Sequence, residues 1–328
     1  MESLQSRQPA GDITPEASLH RALDGWVANH VQRHSGSISE LPYDPQRYPF
    51  QRLDVHKTEA AEEVASLPGK QGYEILINLL GSSIGGQHNA EHFIGQFRQE
   101  RGGRTLSHQL NALLAAGQNI ALLTPHTELD DVAKTMLAAT IALNRLQQNN
   151  HNGIVVNKLM TRQAYHGIPV PQVLSQFSSL YWVIPDTGST AKWDIDEEHK
   201  RAVNFGGLRA LFDDLRHKKG MLVALAPTGT EIIRRQEGRL ELPKISDVSA
   251  RVLGGFDAYL PVTIWRDKSS GIYTAGVGRL QERDELFGSI GRLGRHQAQA
   301  AAAHLLALSL AEQVAELSAQ PISYKNTG

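Results

Sequence analysis

From residue 105 onward, short apolar runs of three to six residues alternate with longer stretches of helical periodicity. This alternation constrains the fold more than any other feature of the chain. The strand candidates are 120–123, 154–156, 180–184, 221–225, 259–264 and 273–277. Helical spacing appears at 106–116, 129–146, 197–217, 245–253 and 296–317. Short continuous apolar runs read as strands covered on both faces, and helices between them supply the cover. The pattern therefore predicts an α/β fold with a mixed, mostly parallel sheet flanked by helices. Gly117 marks the end of the first of these helices.

The N-terminal third reads differently. Residues 1–16 are polar and carry no core pattern, so they are expected to be disordered. Residues 17–104 show helical spacing at 23–32, 58–67 and 72–80, interrupted by the proline-rich stretch Leu41-Pro-Tyr-Asp-Pro-Gln-Arg-Tyr-Pro-Phe50. They are expected to form a smaller helical domain ahead of an α/β domain at 105–328. Gly81-Ser-Ser-Ile-Gly-Gly86 lacks the Lys-Ser/Thr of a phosphate loop and reads as a turn.

Composition removes several function classes. The net charge of −1 gives no reason to invoke nucleic acid, whose binders usually carry a clear basic excess. The absence of cysteine excludes disulfides, thiolate catalysis and thiolate-bound metal. No run of about 18 apolar residues is present, so no membrane span is expected. The first 18 residues have no apolar core of a secretory leader. A cytoplasmic location is expected, or the plastid stroma if the source is a plant or alga.

In open α/β sheets, functional residues gather where strands end and helices begin. The first such junction reads Ile120-Ala-Leu-Leu-Thr-Pro-His126-Thr-Glu-Leu-Asp-Asp131. His126 follows a strand, and Asp131 stands at a helix start, where it can cap the helix and turn back toward the loop. A carboxylate so placed can orient an imidazole and offset its charge during proton transfer. On spacing alone, a surface histidine beside an ordinary capping Asp is the simpler alternative; the place of His126 at a strand end after Pro125 brings the two readings closer to level. The later junction runs Ala226-Pro227-Thr228-Gly229-Thr230, with Arg234 and Arg235 close behind. Its N–H groups and two hydroxyls can form a nest for an anion; a plain strand-to-helix turn is the simpler alternative.

These two junctions, in this order and 101 residues apart from His126 to Pro227, resemble the glycerophospholipid acyltransferase superfamily. His126 and Asp131 match its first block, His-x-x-x-x-Asp. Ala226 to Thr230 match its third, and Leu260-Pro-Val-Thr-Ile264 its fourth. Ile154-Val-Val-Asn-Lys158-Leu-Met-Thr-Arg162 stands where the second block supplies a basic residue. Within the superfamily the chain looks most like the soluble plastid-type glycerol-3-phosphate acyltransferase. The resemblance implies that His126 and Asp131 are the catalytic pair in transfer of a fatty acyl group. The donor would be an acyl-carrier protein or CoA thioester, the acceptor glycerol 3-phosphate or a related alcohol, and no cofactor is implied. It further implies a role in phospholipid synthesis and peripheral contact with a membrane. Thr228, Gly229, Thr230, Arg234, Arg235, Lys158, Arg162 and Lys192 become candidate substrate contacts. Glu231 occupies the position where the family usually has arginine. If the segment turned helical at Thr230, Arg234 would lie one turn on and could supply the guanidinium.

Two rival classes remain. His88-Asn-Ala-Glu91-His92 has the form of a zinc peptidase helix, with both histidines as ligands and Glu91 as base. A non-catalytic lipid-binding protein of the same fold would keep the turns without needing both His126 and Asp131.

Overall fold

The computed structural model describes residues 77, 80–81, 83–127, 131–145, 151–157, 164–165, 168–169, 178–184, 197–229, 233–234, 240–267, 269–290, 295–320 and 322–324. The expected disordered segment 1–16 and the helical stretches at 23–32 and 58–67 lie outside these residues, as does most of 72–80.

Chain order begins with helix α1 (Gln87–Phe97), the hairpin β1 (Glu100–Arg101) and β2 (Arg104–Thr105), and α2 (Leu106–Ala115). Then come β3 (Ile120–Leu123), α3 (Asp131–Ala142), β4 (Asn152–Asn157), β5 (Ala164–Tyr165), β6 (Ile168–Pro169) and β7 (Ser179–Val183). Next are α4 (Glu197–Lys218), β8 (Leu222–Leu225), β9 (Ile233–Arg234), β10 (Leu240–Leu242) and α5 (Asp247–Leu253). The chain closes with β11 (Ala258–Arg266), β12 (Tyr273–Val277), β13 (Gln281–Glu282), α6 (Arg283–Ile290), α7 (Arg295–Ser318) and β14 (Ile322–Tyr324). Thr105 caps α2 by accepting from the His108 N–H at 3.3 Å, and Gly117 at φ 81° ends it.

The main sheet has seven strands in the order β12-β11-β3-β8-β4-β7, with β13 also on β11. Strands β11, β3, β8, β4 and β7 run parallel; β12 and β13 are antiparallel to β11. This is the mixed, mostly parallel α/β sheet that the alternating pattern predicts. Alternate side chains of β3 enter different cores. Ile120 and Leu122 pack in the core that holds residues of α1, α2 and α3. Ala121 and Leu123 pack in the core that holds residues of α4, α5 and α7. All four are fully buried, which is why the run shows no polar alternation.

The three crossovers with a described helix share one handedness. From β3 the chain passes through α3 to β4, two places along the sheet in one direction. From β7 through α4 to β8, and from β8 past α5 to β11, it moves in the other direction and over the other face. Reversing both direction and face preserves the right-handed crossover.

Residues 80–97, placed by the sequence in the N-terminal helical region, join the same core as α3. Leu80, Ile84, Phe93 and Phe97 are at most 1% exposed there. A second, three-stranded sheet, β14-β10-β9, was not anticipated, because strands of two or three residues carry no legible periodicity. No helix among the described residues is long and apolar enough to cross a membrane.

Candidate active site

The parallel strands all end at one edge of the sheet. Leu123, the last residue of β3, pairs with Leu225 of β8 on one side and Pro261 of β11 on the other. The Thr124 N–H still donates to the Leu225 carbonyl at 3.0 Å, extending the pairing one residue beyond β3. From there the chain leaves toward α3 on one face, whereas beyond β8 it leads to α5 on the opposite face. Adjacent parallel strands whose connections part in this way open a crevice between them. The His126 loop and the Ala226–Gly229 turn stand at its two sides, although 101 residues separate His126 from Pro227 in sequence.

His126 takes a left-handed backbone, φ 57°, and is 8% exposed. A non-glycine residue held there costs about 1–3 kcal/mol, so its surroundings must enforce it. Asp131, the first residue of α3, is fully buried and turns back onto the loop. Its Oδ2 accepts from the Thr127 N–H at 2.6 Å and from the Thr127 hydroxyl at 2.7 Å. The same hydroxyl donates to the Ile264 carbonyl of β11, sharing one proton between two acceptors. The residue next to His126 is thus pinned both to the helix start and to the neighbouring strand.

This brace carries a testable consequence. Thr127→Val keeps the shape and the backbone N–H contact but removes the hydroxyl. A hydrogen bond to a charged group contributes roughly 1.5–3 kcal/mol, so denaturant unfolding should show a loss of that size. An unchanged midpoint would mean that the hydroxyl does not hold the loop.

The second turn is tighter than a nest for an anion requires. The Gly229 N–H donates to the Ala226 carbonyl at 3.0 Å, closing a four-residue turn, and Gly229 sits at φ 65°. One of the three expected anion donors is therefore engaged within the turn itself. Thr228 is 8% exposed. Arg234 lies in β9, where it pairs with Leu240 of β10. The expected placement of Arg234 one helical turn beyond Thr230 is corrected: the local backbone at 233–234 is extended, stabilised by pairing with β10. Thr230, Glu231, Arg235, Lys158, Arg162 and Lys192 lie outside the described residues.

Three side chains near the His126 loop escaped the sequence reading. Lys134, three residues into α3, is 4% exposed and holds its Nζ 5.2 Å from the centre of the Tyr273 ring. The Arg266 guanidinium carbon lies 5.4 Å from the same ring. A lone cation among the apolar residues that begin α3 was the available signal; its partners on β11 and β12 are more than 130 residues away in sequence.

The zinc-peptidase candidates lie elsewhere, on α1. His88, Glu91 and His92 are all exposed. Gln87 Nε2 donates to Glu91 Oε1 at 3.1 Å, and Gln96 Nε2 lies 3.1 Å from His92 Nε2. Among the described residues, no group of three or more His, Asp or Glu is placed to hold a metal ion.

In comparisons with known proteins, no family model matches the chain, and no curated protein matches it at a significant level.

Proposed function

We propose that the chain is an acyltransferase. It moves a fatty acyl group from an acyl-carrier protein or CoA thioester to a hydroxyl of glycerol 3-phosphate or a related acceptor. One observation carries this reading. The four sequence blocks that resemble the glycerophospholipid acyltransferases fall on four strands that are neighbours in the sheet, β11, β3, β8 and β4. The first and third blocks flank the crevice between β3 and β8. Four blocks scattered over the chain by chance would have no reason to converge on adjacent strands.

The chemistry follows from the crevice. His126 accepts a proton from the acceptor hydroxyl as its oxygen attacks the thioester carbonyl. The tetrahedral intermediate collapses, the carbon–sulfur bond breaks, and the thiolate leaves with the proton that His126 returns. Asp131 is a positioning residue: through Thr127 it fixes the loop, and its negative charge favours the transient imidazolium. The chain has no cysteine to carry an acyl group, and transfer is direct.

Asp131→Asn should therefore lose less activity than removal of His126. The amide keeps an oxygen for the Thr127 donors but cannot offset the imidazolium charge. The kcat should fall, with the acceptor KM little changed, because the charge matters in the transition state alone. Activity equal to wild type would reduce Asp131 to a helix cap. The reading as a whole is tested by offering acyl-CoA and acyl-carrier protein with a panel of phosphorylated and neutral alcohols. Thiol release that depends on a phosphorylated alcohol supports it. Thiol release with none of the alcohols overturns it.

A further inference from the structure

We propose that a pocket at the edge of the sheet opposite His126 binds a small phosphate monoester. The pocket has a volume of about 290 Å³. Arg216 and Lys219, at the end of α4, and Arg283, the first residue of α6, line it. Asn119 and Asp257 line it too, and they stand immediately before β3 and β11. His126 lies beyond the other end of β3. Asn119 and Thr124 are separated by the length of that strand, about 16 Å at the rise of an extended chain. A small ligand here does not reach the reacting group, so the proposal does not depend on the acyl-transfer reading.

Three segments distant in sequence build the pocket. Phe212, Leu215, Arg216 and Lys219 recur at helical spacing, so they share one face of α4 and its exit. Asn119 ties that helix end to the sheet. Its Nδ2 donates to the Leu215 carbonyl at 2.8 Å, and its Oδ1 accepts from the Met221 N–H at 3.0 Å. Asp257 Oδ2 in turn accepts from the Asn119 N–H at 2.9 Å, while its Oδ1 lies 3.3 Å from a guanidinium nitrogen of Arg283. The Arg283 N–H donates to the Asp257 carbonyl at 2.8 Å, which fixes the start of α6 against the pocket. Gly255 keeps one wall open: a Cβ there would stand 3.2 Å from the Phe212 ring and 3.3 Å from Leu215.

The charge lining the pocket is unbalanced. Three cations stand against one carboxylate, and Asp257 divides its oxygens between Arg283 and the Asn119 N–H. Arg283 also lies 3.7 Å from Asp284, which faces solvent. Among the described residues, the side chains of Arg216 and Lys219 make no hydrogen bond or ion pair. The nearby acids of α4 are engaged elsewhere. Asp214 lies 3.1 Å from Lys218 Nζ and accepts from the Tyr181 hydroxyl at 2.6 Å; Asp213 lies 3.9 Å from Arg209. Exposed cations lose little by standing alone in water, and the α4 dipole favours any cation on its last turn. Neither effect brings Arg283, from another helix, to the same pocket. A phosphate dianion offsets the excess of two charges, and guanidinium groups match its oxygens in pairs. Phe212 and Leu215 give the organic part an apolar wall. The volume sits at the small end of ligand sites, which suits a compact ester.

The test is calorimetric titration of wild type, Arg216→Gln, Lys219→Gln and Arg98→Gln with phenyl phosphate and, separately, with phenol. Arg98 follows α1, away from the pocket, and its variant carries the same change of charge. All three positions are exposed, so the variants should keep the fold. Wild type should bind phenyl phosphate and not phenol. Each pocket variant should bind phenyl phosphate about tenfold more weakly, the loss of one charge-assisted contact, and Arg98→Gln should bind as wild type does. The proposal is overturned if wild type fails to bind phenyl phosphate, or binds phenol equally well. It is also overturned if both pocket variants match wild type, or if Arg98→Gln weakens binding as much as they do. No arm requires turnover, so the outcome is the same whether or not the chain transfers acyl groups.

Discussion

Replacing His126 by alanine should abolish acyl transfer while the protein stays folded. A positioned general base contributes roughly 100- to 10,000-fold to a rate, and no other group in the proposed mechanism can take the acceptor proton. The side chain is buried at the end of β3, 8% exposed, so its removal also carries a cost in stability. Removing it does not release the backbone constraint, because alanine at φ 57° is no better accommodated than histidine. The loss of stability should stay within about 0.5–3 kcal/mol, the usual range for a point substitution, and leave the chain folded. Turnover within a few-fold of wild type in a folded variant would remove His126 from the chemistry. Loss of activity together with loss of the folded state would instead make His126 structural.

The second large effect concerns the scaffold rather than the site. Gly207, in α4, faces the backbone of β7 so closely that an added Cβ would fall on the Trp182 carbonyl oxygen. The Trp182 carbonyl carbon and nitrogen would lie 2.9 and 3.1 Å from it. Helix propensity alone predicts that Gly207→Ala stabilises α4 by about 1 kcal/mol. The clash is with main chain, which cannot rotate away, so the cost falls at the upper end of the roughly 1–3 kcal/mol typical of overpacking, about 3 kcal/mol. The clash wins, and denaturant unfolding should show a net loss of about 2 kcal/mol. Gly288 in α6, where a Cβ would meet nothing within 4 Å, is the control. Gly288→Ala should be neutral or stabilise by up to about 1 kcal/mol. Equal behaviour of the two variants would contradict the close packing of α4 on β7.

The elements most legible in the sequence were those buried on both faces. The run 120–123 is apolar throughout, and its bounds coincide with β3 because the sheet is covered on each side. The segment 273–277 likewise matches β12. β11 was read as ending at 264 but continues through Trp265 and Arg266, because pairing with β12 sustains it past the apolar run. That extension sets Arg266 beside Tyr273. Strands β9, β10 and β14 were missed because two or three residues give no period; pairing between distant segments defines them.

Of the candidate site, His126 and Asp131 were legible from their position between a strand and a helix. Thr127 was not, since its role depends on the Ile264 carbonyl, 137 residues away. Lys134 was hidden inside a helix that reads as apolar core, and Tyr273 inside a strand. Local reasoning offered Arg234 a place one helical turn beyond Thr230, whereas tertiary pairing with β10 draws it into a strand.

The most direct test of acyl transfer follows two products at once in a single turnover. Wild-type protein is mixed with an acyl thioester and glycerol 3-phosphate, free thiol is measured spectroscopically, and the acylated acceptor and the protein are measured by mass spectrometry. The account predicts one ester formed for each thiol released, no acyl group on the protein, and neither product with His126→Ala. Thiol released without ester, or an acyl group retained on the chain, would contradict direct transfer at His126.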